Sequence, residues 1–281
     1  MMRSFHIFRY QILPNNRNFQ GSIYDGKTVN DVIAEKNNIF WEAISNSDPF
    51  YKRNSETVIR ILAEEDDIIV FMVGVEKKLK KNTKDFKVEK IDTWPDSIFV
   101  IWNNPERQLI AVQNNPAAFS TPSVLLKRFE KNINRQLSIY QLGIYSNPIF
   151  DKNDFWELIA SNNNSIEAVE FTFLTPNMAS ISQTLTDDLK EFAKKNNSVE
   201  NKIELRANKG HSLSLSPNEP QTSGLIDYIS NGGGATKVKL HNIRKKVTVG
   251  NTTKEVEVTG LELEGLNANE TIAIFKSIFD D

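Results

Sequence analysis

Residues 165–207 pack three patterns into a stretch with almost no slack. SIEAVEFTFLTPN alternates apolar and polar side chains, with Val169, Phe171 and Phe173 on one face. MASISQTLTDDLKEFAKKNN places Ile181, Leu185, Leu189 and Phe192 at helical spacing, and SVENKIELRA returns to a strand pattern. Pro176 and Asn177 turn the chain between the first two. A strand, a helix and a second strand joined this closely form a core unit whose apolar faces need covering by neighbouring elements. No side chain in it belongs to a recognisable reaction centre.

Comparable patterns flank that unit. Residues 4–13 read as a strand ended by Pro14 and the Asn15-Asn16 turn, and 28–45 as one helix capped by Thr28 with Asp31 three residues on. Residues 57–62 and 68–75 are strands joined by the acidic turn Glu64-Glu65-Asp66-Asp67. SIFVIW and QLIAVQ form a hairpin around Asn103-Asn104-Pro105-Glu106, and 123–142 carries Val124, Leu125, Phe129, Ile133, Leu137 and Tyr140 on one helical face. Lys127, Arg128, Lys131 and Arg135 lie elsewhere around that helix, where a cationic face is ordinarily just solvated. A strand and a helix then lead into the opening unit. Beyond it come a strand within 208–220, a helix stopped by Gly232-Gly233-Gly234, a tail alternating as a hairpin about Gly250-Asn251, and a helix over 267–279.

The expected fold is therefore α+β: mixed or antiparallel sheets, packed amphipathic helices and a C-terminal β-hairpin plus helix. The expected division is residues 1–92, with a lysine-rich loop, and residues 93–281, an α+β core with a basic C-terminal hairpin. The 281 residues suffice for a sizeable core. The absence of cysteine excludes disulfides, thiolate metal sites and cysteine nucleophiles, and fits a cytoplasmic location. No window reaches the apolar length of a membrane-spanning helix, and the N-terminus reads as a strand rather than a signal peptide.

Few residues offer chemistry. His6, His211 and His241 lie far apart in sequence, and neither a nucleophile elbow nor a phosphate-binding loop occurs. Asp66 or Asp67 followed by Glu76 and Lys78 has the order of a restriction-type magnesium nuclease. Cations are the stronger signal. The net charge of −2 gives no global pull on polyanions, so any such partner must meet a local patch. Two segments qualify. One holds Lys77, Lys78, Lys80, Lys81 and Lys84, continuing through Lys87 and Lys90; the other holds Lys237, Lys239, Arg244, Lys245, Lys246 and Lys254 with no acid between them. Such segments attract phosphates without base-specific contacts.

The layout also resembles the RexA-type phage-exclusion proteins and, more loosely, the KwaB-like bacterial defence proteins. The likeness covers 95–215: PDSIFVIW followed by QLIAVQ, VEFTFLTPN ending in Pro-Asn, its helix, and IELRANKGHSLSLS with Ala207 three residues before Gly210. The resemblance implies a cytoplasmic, dimeric DNA-binding protein acting in antiphage defence beside a membrane protein encoded nearby, and it carries over no catalytic residue. The expectation is a binding protein for the DNA or RNA backbone, weakly sequence-specific and without a cofactor, in an abortive-infection or exclusion system. Its rivals are a metal-dependent nuclease and a protein–protein scaffold or immunity-type protein.

Overall fold

The structure, a computed structural model, describes residues 2–23, 26–53, 55–82, 84–85, 87–176, 181, 183–250, 253–259 and 265–280. The chain runs β1 (Met2–Pro14), α1 (Val29–Ala34), α2 (Lys36–Ser45), β2 (Thr57–Glu65), β3 (Ile68–Val75), β4 (Lys77–Asn82), β5 (Val88–Thr93), β6 (Asp96–Trp102) and β7 (Leu109–Gln113). It continues through α3 (Pro122–Leu137), β8 (Leu142–Pro148), α4 (Lys152–Ser161), β9 (Ile166–Leu174), α5 (Asp187–Lys195) and β10 (Glu200–Arg206). Last come α6 (Pro220–Ser230), β11 (Gly234–Leu240), β12 (Val247–Val249), β13 (Glu255–Thr259) and α7 (Ala268–Asp280). The class is α+β.

The larger sheet has the antiparallel order β13-β1-β7-β6-β3-β2, with β8 also paired to β1. Phe5 of β1 pairs with both Gln113 of β7 and Val256 of β13, and Phe8 with both Ile110 of β7 and Pro148 of β8. A residue has one neighbour on each side, so β13 and β8 lie end to end along the same side of β1. The period-2 alternation of the strands sends side chains to two cores. Ile69, Phe71, Val73 and Val75 of β3 face a cluster closed by α1, α2 and α3, while Ile68 and Val70 face Ile272, Phe275, Ile278 and Phe279 of α7.

The smaller sheet, β10-β9-β11-β12, buries one face under α4 and α6. Gly232 ends α6 at φ +83°, and a Cβ there would come within 2.4 Å of Arg9 Cβ. That close approach joins the sheets. Arg9 Nε donates to Asn231 O at 2.7 Å, and Gln11 Nε2 donates to Tyr228 Oη at 3.0 Å. The expected helix stop at the triple glycine is thus in place, and glycine is also what the junction requires.

Several boundaries differ from expectation. The cut expected after residue 92 falls within the larger sheet, because β3 pairs with β6 from Ile68↔Trp102 to Gly74↔Asp96. The lysine-rich loop is instead a two-stranded ribbon, β4–β5. The helix expected over 28–45 breaks at Glu35 (φ −96°, ψ 4°), although Thr28 and Asp31 do form the capping box. The strand expected within 208–220 is unpaired: Leu213 N–H donates to Ile166 O and Ser212 Oγ accepts from Ile166 N, tying the segment to one end of β9. The tail does not fold back as one hairpin, since β12 pairs with β11 while β13 leaves to pair with β1; Asn251 lies outside the described residues. In the 165–207 unit, β9, α5 and β10 follow in the expected order. Ile181 and Leu185 enter the core ahead of α5, and Phe192 is 66% exposed rather than packed. Asn177 of the expected turn and residues 178–180 and 182 of the expected helix lie outside the described set.

One half-buried cation makes stability depend on pH. Burial, with Arg17 as a lesser cause, holds the Lys36 ammonium down to about 8. Its folded pKa lies below the unfolded value, so the charged form is penalised in the fold, and the penalty fades as pH rises from about 8 to about 10.5. Lys36→Met should therefore raise stability at neutral pH by about 1–2 kcal/mol, with the gain disappearing above the unfolded pKa. Urea unfolding of both forms across that range checks this; a gain that does not change with pH would contradict it.

Candidate nucleic-acid interface

Helix α3 supplies the floor of the candidate site. Pro122 sits in its first turn, and Leu125, Leu126, Phe129, Asn132, Ile133 and Leu137 are buried. Val124, Lys127, Arg128, Lys131 and Arg135 follow at i, i+3, i+4, i+7 and i+11, which puts them on one stripe facing away from that core. The segment after α2 forms the facing wall. Phe50 is fully buried against Phe71, Phe99 and Phe129, with ring centroids 5.4, 5.0 and 5.7 Å away. Asn132 Nδ2 donates to Pro49 O at 3.2 Å and Tyr51 O at 2.8 Å, fixing the segment over the helix.

Between them lies an open groove of about 450 Å³, lined by Tyr51, Lys52, Arg53, Val124, Lys127, Arg128, Lys131, Asn132 and Arg135. Six of these nine are cations, and none is a carboxylate. Among the described residues, Lys52, Arg53, Lys131 and Arg135 have no ion-pair partner. Arg128 is held in place, its guanidinium 5.1 Å over the Phe119 ring and its Nη1 donating to Thr57 Oγ1 at 3.3 Å. Burial lowers its pKa, partly offset by Asp48. Tyr51 and Val124, 53% and 43% exposed, add an aromatic and an aliphatic surface among the charges. Such a groove has the chemistry to hold the phosphates of a polyanion and a ring on which a base could stack.

The groove adjoins the first lysine segment. Thr57, which Arg128 grips, pairs with Val75, and Glu76 N–H donates to Glu56 O at 3.1 Å. Lys77 begins the ribbon at the next residue. Lys77, Lys78, Lys80 and Lys81 lie on β4 and Lys84 beyond it, all exposed. The ribbon pairs Lys80 with Lys90 and Leu79 with Ile91; Lys78 also lies 3.5 Å from Glu76.

The second segment sits on the solvent-facing side of the smaller sheet, amid carboxylates. Lys246 and Lys202 both bond Glu170, and these hydrogen bonds bring the Glu170 carboxyl down to about 2. Lys246 also meets Glu204 at 3.3 Å, and Lys239 lies 3.4 Å from Glu167. Lys237 is the cross-strand neighbour of Glu170. Among the described residues, Lys237, Arg244, Lys245 and Lys254 of this segment make no ion pair, with Arg244 and Lys245 in the turn between β11 and β12. Of the six cations of this segment, Lys239 and Lys246 are compensated by acids that arrive from β9 and β10. The groove residues Lys52 and Arg53 escaped the sequence reading because nothing local joins them to α3. The available signal was a dibasic pair after Phe50-Tyr51 and the single stripe on α3.

Other arrangements fall apart geometrically. Asp67 and Glu76 flank β3 at opposite ends, about 30 Å apart along an extended strand. Asp67 Oδ2 instead accepts from Trp102 Nε1 at 2.8 Å, so the Asp66 or Asp67, Glu76 and Lys78 set is not brought together. Among the described residues no group of three His, Asp or Glu side chains is placed to hold a metal ion. His6 faces Glu255 at 3.7 Å, with burial lowering its pKa, and His241 Nε2 lies 3.1 Å from His211 O. Among the described residues no helix is long and apolar enough to cross a membrane. The chain matches no known protein-family model, no curated protein and no solved structure.

Proposed function

We propose that this protein binds nucleic acid through the phosphate backbone, with little sequence preference and without chemistry of its own. The carrying observation is the groove between α3 and Tyr51–Arg53, whose lining holds six cations and no acid. A surface of this composition gains affinity by releasing condensed counterions, whichever bases are present. The resemblance to RexA-type exclusion proteins supports the same reading, and the role we propose is in antiphage defence, as a cytoplasmic dimer beside a membrane partner.

Salt titration is the test. With about five phosphates engaged, affinity for a labelled DNA duplex should fall about 500-fold between roughly 50 and 200 mM salt, with similar curves for unrelated sequences. A flat salt response, or no binding at low salt, would end the proposal.

A further inference from the structure

We propose that the β4–β5 ribbon is an arm that enters the major groove of duplex DNA while the α3 groove holds the adjacent backbone. This rests on the nucleic-acid reading above and narrows its substrate to the B-form duplex. Among the described residues, β4 and β5 pair only with each other, and both faces of the ribbon are open to solvent. A lone two-stranded hairpin is marginal in water, so this element lacks the packing that stabilises every other strand pair here.

Its charges are distributed in a way that a flat partner does not use. Side chains alternate across the ribbon, so Lys78, Lys80 and Lys90, with Asp92 opposite Lys78, project from one face, and Lys77 and Lys81, with Glu89 opposite Lys81, from the other, which leaves an excess of cations on both. A single strand laid against the protein engages one face. Two phosphate walls flanking the ribbon engage both, and a duplex groove supplies two walls. Lys80 and Lys90 are directly opposed like charges, an unfavourable cross-strand pair that a phosphate between them relieves. Leu79 and Ile91 are opposed on the face of Lys77 and Lys81 and are 58% and 42% exposed, so nothing among the described residues covers that face. The B-DNA major groove, about 12 Å wide, admits a two-stranded ribbon, whereas the deep, narrow groove of A-form RNA does not. A second copy of the ribbon is a poor partner because it repeats the same excess of lysine.

Val75 N–H donates to Pro95 O at 3.1 Å, so the root of the ribbon is already closed. Replacing residues 77–93 by Asn-Gly leaves a short β3–β6 hairpin. The experiment compares the full chain, this deletion and Lys80→Glu/Lys90→Glu for binding to a duplex DNA of about 20 base pairs, its single strand and the matching duplex RNA, by fluorescence anisotropy at low salt. The full chain should bind duplex DNA at least about 10-fold more tightly than the other two probes. Both variants should lose that margin while binding single strands within about threefold of the full chain. Equal binding of all three probes by the full chain, or a duplex preference that survives the deletion, would overturn the arm and leave the groove reading standing. Failure of the full chain to bind any probe would defeat both.

Discussion

Reversing charge at Arg53, Lys131 and Arg135 together should lower affinity for nucleic acid by about 100-fold and reduce the salt slope by about three. All three are exposed, and among the described residues none has an ion-pair partner whose loss would confuse the result. Exposed substitutions of this kind ordinarily change stability by about 0.5 kcal/mol or less. The binding loss should therefore appear at an unchanged melting temperature. The matching control is Lys237→Glu/Lys239→Glu/Lys246→Glu in the second basic segment. Lys239 and Lys246 already meet Glu167, Glu170 and Glu204, so their reversal should cost folding stability more than binding. If the control abolishes binding and the groove variant does not, the charge assignment is inverted.

Phe50→Ala should destabilise the protein by about 3–5 kcal/mol, the range for deleting a buried aromatic side chain. Phe50 has no exposed surface and meets three other rings, so the vacated space is bounded by Phe71, Phe99 and Phe129. The effect reaches function as well, because Phe50 anchors the segment that presents Tyr51, Lys52 and Arg53. Its exposed neighbour separates the two roles: Tyr51→Ala should leave stability nearly unchanged and weaken binding by the loss of one stacking surface, about 1–3 kcal/mol. Urea unfolding of the pair checks this. A Phe50→Ala cost under about 1 kcal/mol would show that the segment is not anchored by that ring.

Local order was legible in the sequence where the signal was itself local. Short continuous apolar runs on either side of Asn103-Asn104-Pro105 marked the β6–β7 hairpin, Thr28 and Asp31 marked a helix start, and the 165–207 patterns marked β9, α5 and β10. Partner choice was not legible. The EVEVT of β13 alternates equally well for pairing with β12 or with β1, and only the free side of β1 beyond the end of β8 decides between them. The ribbon shows the same limit, since a lysine run reads as a loop until its β-pairing is seen.

The candidate site was half legible for a related reason. The lysines of β4 could be read as a charged segment, and they lie beside the groove because Thr57 pairs with Val75. The groove needs Phe50 in the core and Asn132 bonded to Tyr51 O, contacts across about eighty residues of chain that no local pattern encodes. Conversely, Lys239 and Lys246 looked free because the acids that meet them, Glu167, Glu170 and Glu204, come from other strands. Charge along the chain is a poor guide to charge on a surface once sheets bring distant strands together.

Peptide mapping of the protein cross-linked by ultraviolet light to DNA tests the central claim most directly. Cross-links should concentrate on Tyr51–Arg53 and the exposed stripe of α3, with a second set on β4 and β5. Cross-links confined to the outer face of β9, β10 and β11, with Tyr51 and α3 unmodified, would contradict the assignment of the groove as the binding surface.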